Sequence, residues 1–152
     1  MFSGYFPATL DAKFRIIVPA PFRDYMLQHY NNKVALTKDL QTQVILIWPQ
    51  ANFQKLMESL AAAPKWDKAV TKARGFYVGN AYQLEFDANG RVFVPEPLRA
   101  HVGLQREIAL VGNGKNIQIW PADKWAEYDR KLSEQTEMDE MLEALNRHNV
   151  DY

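Results

Sequence analysis

Two aspartate and arginine pairs have a spacing that could do chemistry. Asp11 and Arg15 lie four apart in LDAKFRIIVPAPFR, beginning at Leu10, and Asp87 and Arg91 lie four apart in FDANGRVFVPEPLR, beginning at Phe86. An aspartate in a tight turn can accept backbone N–H bonds while its arginine forks onto the carboxylate, so each pair could lock a turn. The same guanidinium fork also fits phosphates and the edge of a guanine, and two copies related by a pseudo-dyad suit a duplex whose grooves repeat. A surface ion pair contributes only roughly 0–1 kcal/mol. Turn-organising therefore suits Asp11 and Asp87, while Arg15 and Arg91 are better explained as ligands for DNA. Lys13, beside Arg15, adds a phosphate-seeking charge.

The pairs belong to an internal repeat, which dictates architecture before any single motif does. Identities at Asp11/Asp87, Ala12/Ala88, Arg15/Arg91, Val18/Val94, Pro19/Pro95, Pro21/Pro97 and Arg23/Arg99 are followed by a second matching block. There VILIWPQANFQKL, from Val44, parallels NIQIWPADKWAEY, from Asn116. In each copy RIIVP or RVFVP reads as a short strand ended by proline. DAKF and DANG read as tight turns ahead of those strands. Asn89-Gly90 is the signal of a type I′ hairpin, in which both central residues need positive φ. A short helix follows (PFRDYMLQHY or PLRAHVG), then two strands (KVALT and QVILIW, or EIALVG and NIQIW), with a tight hairpin at VGNGKN.

Each Trp-Pro opens a further helix, and Phe53, Leu56, Met57 and Leu60 recur at helical spacing. PKWDKAVTKARGFYV reads as a helix joining the halves. TEMDEMLEALNR reads as a terminal helix with Thr136 and Asp139 at capping-box spacing and an apolar stripe of Met138, Met141, Leu142 and Leu145. That stripe packs against its own domain, the simpler reading, or against a neighbouring subunit. The expected division is a first repeat at 1–63, a linking helix at 64–80, a second repeat at 81–133 and an amphipathic helix at 134–152. The expected fold is α+β and mostly β: two half-barrels, each with unpaired edges if alone, closing one pseudo-two-fold β-barrel with peripheral helices.

Composition narrows the function. The chain has 152 residues, 47% of them hydrophobic, enough for a core. It lacks cysteine, which excludes disulfides and thiolate metal sites. Its 18 basic and 18 acidic residues cancel, but unevenly. Up to Lys38 the bases Lys13, Arg15, Arg23, Lys33 and Lys38 face only Asp11 and Asp24, while the segment from Asp123 onward is acid-rich. A neutral total can thus hide a basic face. VILIWP is too short to span a bilayer and the N-terminus has no basic start, so a soluble, cytoplasmic protein without membrane partners is expected.

His29, His101 and His148 are scattered without metal-ligand spacing, and Ser3, Ser59 and Ser133 lack a nucleophile-elbow context. No catalytic residue, metal site or cofactor is expected. An assembly module is the rival reading, with Arg15 and Arg91 pairing across subunit interfaces.

LDAKFRIIVP and FDANGRVFVP, two correctly spaced Asp-x-x-x-Arg copies in a chain of this length, resemble the MraZ family, built from two domains of the SpoVT/AbrB type. The resemblance covers nearly the whole chain, including the Trp-Pro helices. It implies a transcriptional regulator, typically a repressor, that binds repeated boxes in double-stranded promoter DNA upstream of the bacterial division and cell wall gene cluster. It also implies ring-shaped homo-oligomers and association with the nucleoid. By direct match it sets Asp11, Arg15, Asp87 and Arg91, and with them Lys13, on the DNA-facing side. One departure is Phe14, where the family has glycine before the first arginine; only the second copy keeps it, as Gly90. A bulky residue at positive φ is an outlier, so Phe14 is a further candidate for contact with a base or another subunit. Arg23 and Arg99 also repeat, and structural pairing in their short helices is the favoured role.

Overall fold

A computed structural model describes all 152 residues. The first repeat contributes β1 (Tyr5–Thr9), β2 (Arg15–Ile17), α1 (Ala20–His29), β3 (Lys33–Lys38), β4 (Ile45–Pro49) and α2 (Gln50–Ala62). After α3 (Lys68–Gly79), the order recurs as β5 (Tyr82–Glu85), β6 (Arg91–Phe93), α4 (Glu96–Val102), β7 (Glu107–Gly112), β8 (Ile117–Pro121) and α5 (Ala122–Leu132). α6 (Gln135–Arg147) comes last. Met1–Pro121 forms one compact unit and Ala122–Tyr152 a second.

The mixed α+β character is as expected, but the strands form no closed barrel. A six-stranded antiparallel sheet runs β1-β7-β8-β4-β3-β5, and β2 and β6 make a separate two-stranded ribbon. The reason is length: β2 and β6 have three residues each before the chain turns into Pro19 or Pro95. Those three residues pair with each other, and only the isolated Leu10 and Ile16 bridge ties β2 back to β1.

The repeats exchange strands. β1 pairs with β7 of the other repeat, and β5 pairs with β3. On the ladder joining the halves, Leu46 lies opposite Gln118, its own counterpart, and on the ribbon Ile16 lies opposite its counterpart Val92. A pseudo-two-fold axis therefore passes through both pairs.

Burial follows the apolar pattern. β4 is buried throughout and β3 from Val34 to Thr37, because the central strands are covered on both faces, which favours unbroken apolar runs over alternation. α2 and α4 pack against β3 and β4. Ile16, Val18, Val92 and Val94, from the two ribbon strands and the residues after them, enter one core with Leu36, Ile47, Leu110 and Ile119. Buried Thr37 is satisfied by donating from Oγ1 to the Tyr77 carbonyl at 3.1 Å.

β1 is the strand the sequence hid. Pro7 argues against a strand interior, yet it is tolerated here because β1 is a sheet edge. The N-terminus is tied further by reciprocal bonds of 2.9 Å between Phe2 and Gly114. The repeats also differ at their tryptophans. Trp120 Nε1 donates to Gln118 Oε1 at 3.0 Å, whereas Trp48 Nε1 is buried without a partner because Leu46 stands where the second repeat has Gln118.

In the second unit α5 packs on α6. The expected capping box is absent: Glu134 is the N-cap of α6, so Thr136 lies inside the helix, where its hydroxyl caps nothing. Gln135 Nε2 instead donates to Asp139 at 2.7 Å. Met138, Met141 and Leu142 remain exposed, at 44%, 42% and 42%.

Two substitutions test this packing by urea unfolding. Ile119→Ala, at a fully buried position, is expected to lower stability by about 2–5 kcal/mol. Gly112→Ala is expected to cost about 1–3 kcal/mol, because its Cβ would collide with the backbone of Phe2 and Ser3.

Candidate nucleic-acid interface

Each Asp-x-x-x-Arg segment folds into the same small device. In the first, Asp11 Oδ1 accepts from the backbone N–H groups of Lys13 (2.8 Å) and Arg15 (2.9 Å), and Oδ2 accepts from Arg15 Nε (3.0 Å). In the second, Asp87 Oδ1 accepts from Asn89 and Arg91 N–H, both at 2.9 Å, and Oδ2 from Arg91 Nε at 2.7 Å. The aspartate thus spans its turn and grips the arginine by Nε alone. That leaves the two terminal amino groups of each guanidinium, the half of the fork best able to reach a phosphate or base edge, unengaged by the chain. The side chains are matched in exposure too, Arg15 at 27% and Arg91 at 28%.

These bonds hold both carboxyls below the usual carboxylate range. The backbone N–H of Arg15 or Arg91 is the largest cause, opposed by partial desolvation and helped by the remaining donors. The locks are consequently charged at neutral pH.

The turns are not type I′. Phe14 N donates to the Asp11 carbonyl at 3.0 Å and Gly90 N to that of Asp87 at 2.9 Å, closing four-residue turns. Of Asn89 and Gly90 only the glycine has positive φ, at 73°, and Phe14 takes the same conformation at 60°. The aspartate bonds select a turn whose last residue is left-handed, so asparagine at 89 needs no left-handed backbone.

Arg23 and Arg99 brace the turns crosswise. Arg23, on α1, reaches the second turn, where its Nη1 donates to the Asn89 carbonyl at 3.2 Å and its side chain fills the space a Cβ on Gly90 would need. Arg99, on α4, reaches the first turn. Its guanidinium carbon sits 3.6 Å from the centre of the Phe14 ring and its Nε donates to the Val94 carbonyl at 2.9 Å. The backbones cross as well, Val18 N to the Gly90 carbonyl (2.9 Å) and Val94 N to the Phe14 carbonyl (2.8 Å). A left-handed phenylalanine costs about 1–2 kcal/mol, which a cation–π contact of about 0.5–1 kcal/mol offsets in part. Phe14 thereby gains a partner in its own chain, though its ring remains 42% exposed.

The ribbon joins the two devices. Ile16 and Val92 point inward and are buried, so Arg15, Ile17, Arg91 and Phe93 share the outer face. Arg15 lies opposite Phe93, and Ile17 opposite Arg91. The residues that form or brace the turns supply Lys13, Arg15, Arg23, Arg91 and Arg99 against Asp11 and Asp87. Ile17 and Phe93 were not singled out from the sequence, although the period of two in RII and RVF, counted from the arginines, marks them as outward. No group of three or more histidine and carboxylate side chains could hold a metal ion.

A family model described as "MraZ protein, putative antitoxin-like" matches residues 1–74 and again residues 77–147. The chain belongs to the MraZ family. It is 30% identical over 150 residues to the transcriptional regulator MraZ of Thioalkalivibrio sulfidiphilus, covering 96% of this chain and 99% of the relative. It is 31% identical over 146 residues to that of Marinobacter nauticus, covering 95% and 97%. With that of Saccharophagus degradans the identity is 32% over 125 residues, covering 82% and 85%. These MraZ relatives are transcriptional regulators, a non-enzymatic class. The two family matches fall on the two repeats whose strands interleave in the sheet. No helix is long and apolar enough to cross a membrane.

The asymmetry of the turns is measurable. Gly90→Ala should lower stability by about 1–2 kcal/mol, since a left-handed alanine is disfavoured and Arg23 must move. Phe14→Gly should stay within about 1 kcal/mol of the native chain, because relief of the backbone is set against loss of the Arg99 contact. Acid unfolding tests the locks. A carboxyl whose pKa is depressed by folding stabilises above its unfolded value and loses that contribution as pH falls through the folded one. An Asp11→Asn/Asp87→Asn variant should therefore lose less stability than the native chain between about pH 4 and the folded values below it.

Proposed function

We propose that this chain binds double-stranded promoter DNA through the β2–β6 ribbon and its two flanking turns, and represses transcription by occupying the promoter. The observation that carries the reading is the pair of arginines on one outward face, related by the pseudo-two-fold and each gripped only by Nε. The major groove admits a two-stranded ribbon, and an arginine with two free amino groups can bond O6 and N7 of guanine or fork onto a phosphate. Arg15 and Arg91 are the base- and phosphate-reading residues and Lys13 a phosphate contact. Asp11, Asp87, Asn89 and Gly90 set the turn geometry, and Arg23, Arg99 and Phe14 support it from behind.

The targets are repeated boxes upstream of the bacterial division and cell wall gene cluster, and the protein works in the cytoplasm at the nucleoid. Copies assemble into a ring so that neighbouring subunits each take one box, and linking weak contacts in this way raises avidity without any new contact. The pieces in this reading are the repeats at 1–63 and 81–133, the linking helix at 64–80 and an assembly segment at 134–152. The exposed Met138, Met141 and Leu142 on α6 favour self-association. They also keep alive a second reading, an oligomeric module that binds no DNA.

The test is titration of a promoter duplex carrying the repeated boxes, and of a scrambled duplex, across several salt concentrations. Arg15→Ala and Arg91→Ala should each weaken binding to the boxes by roughly 5- to 150-fold, with a shallower salt dependence, while light scattering shows the assembly unchanged. Dissociation of the assembly by these variants, with no box preference in the native chain, would favour the module. Altered spacing between boxes should weaken binding more than either single variant; equal affinity at all spacings would remove the ring from the reading.

A further inference from the structure

Building on the DNA-binding reading above, we propose that Ile17 and Phe93 are specificity determinants that read the 5-methyl groups of thymine in the major groove. Both are large apolar side chains left in the open, Ile17 at 61% and Phe93 at 43% exposure, on a ribbon whose inner positions Ile16 and Val92 already fill the core. Packing therefore does not account for them. They occupy equivalent positions in the two repeats, and each lies directly across the ribbon from an arginine. The outer face is a chequerboard of two cations and two apolar groups about the pseudo-dyad.

Its dimensions fit base edges. Side chains directly opposite on paired strands are about 4.5–5.5 Å apart at Cβ, and same-face neighbours along a strand about 6.6 Å. Successive base pairs are stacked about 3.4 Å apart. An arginine on a guanine edge thus holds its apolar neighbour over a base one or two steps away, and the only apolar group on the floor of the major groove is the thymine methyl. The surrounding charge selects the same occupant. Arg15 and Arg91 lie on this face and Lys13 in the turn beside it, which suits a polyanion and penalises the apolar surface of a second copy. Phe14 is left out of the reading set because its ring is taken by Arg99.

The experiment compares a promoter duplex carrying the boxes with the same duplex in which box thymines are replaced by deoxyuridine, which removes only the methyl group. The full-length native chain and an Ile17→Thr/Phe93→Ser variant are measured on both, with a scrambled duplex as reference. The transfer free energy of one buried methyl-sized group corresponds to about fourfold in affinity. The native chain should therefore lose roughly fourfold for each methyl read, about fifteenfold for two, on the deoxyuridine duplex. The variant should bind the thymine duplex correspondingly weakly and not distinguish the two, with unchanged urea stability and light scattering.

If the native chain prefers the boxes to the scrambled duplex but binds thymine and deoxyuridine boxes equally, the methyl reading is overturned and DNA binding stands. A variant that keeps the native thymine preference overturns it too, since the effect would then reside in the duplex. A variant that dissociates the assembly assigns these side chains to an interface between copies. Absence of any box preference in the native chain would remove the DNA reading itself.

Discussion

The register in which a residue meets its own counterpart governs this structure. Leu46 faces Gln118 on the main sheet and Ile16 faces Val92 on the ribbon, so both ladders are centred on one pseudo-two-fold. A slip of one residue by either ribbon strand would turn its inward residue, Ile16 or Val92, outward and drive its arginine, Arg15 or Arg91, into the core. The apolar demand for burial thus fixes the direction of the charged side chains. Exchange of β1 and β5 between repeats then ensures that neither half can form its part of the sheet alone.

On that frame the turns need little further energy to hold their aim. Each aspartate satisfies two backbone donors and one side-chain donor, and each turn is held from behind by an arginine and a backbone bond from the opposite repeat. These contacts are individually weak at an exposed site. Their value is geometric: they fix the guanidinium groups before any ligand arrives, so less side-chain freedom is lost on binding.

Much of this was legible in the sequence because the repeat is local and strongly marked. The strands beginning at Arg15 and Arg91, the Trp-Pro helices and the outward arginines follow from patterns a few residues long. What escaped depends on contacts far apart in the chain. Pro7 hid β1 because only the sheet shows that its strand is an edge. The open sheet replaced a closed barrel because three-residue strands exhaust their bonds on one another. Arg23 and Arg99 had structural roles in view, but the turn residues they brace, Asn89 and Phe14, lie in the other repeat and no spacing rule connects them. Asn89-Gly90 suggested the wrong turn because the aspartate, not the dipeptide, decides its geometry.

Joining the repeats in one chain has a consequence that reaches past folding. In a dimer of identical halves every substitution appears twice and the two-fold is exact, so the surface it forms has no head or tail. Here one turn sets a phenylalanine ring beneath its arginine and the other a glycine against which the arginine packs directly, a difference that covalent fusion permits and identical subunits forbid. The symmetric frame is retained while its face acquires polarity: turned end for end, the molecule presents a different surface to whatever it meets.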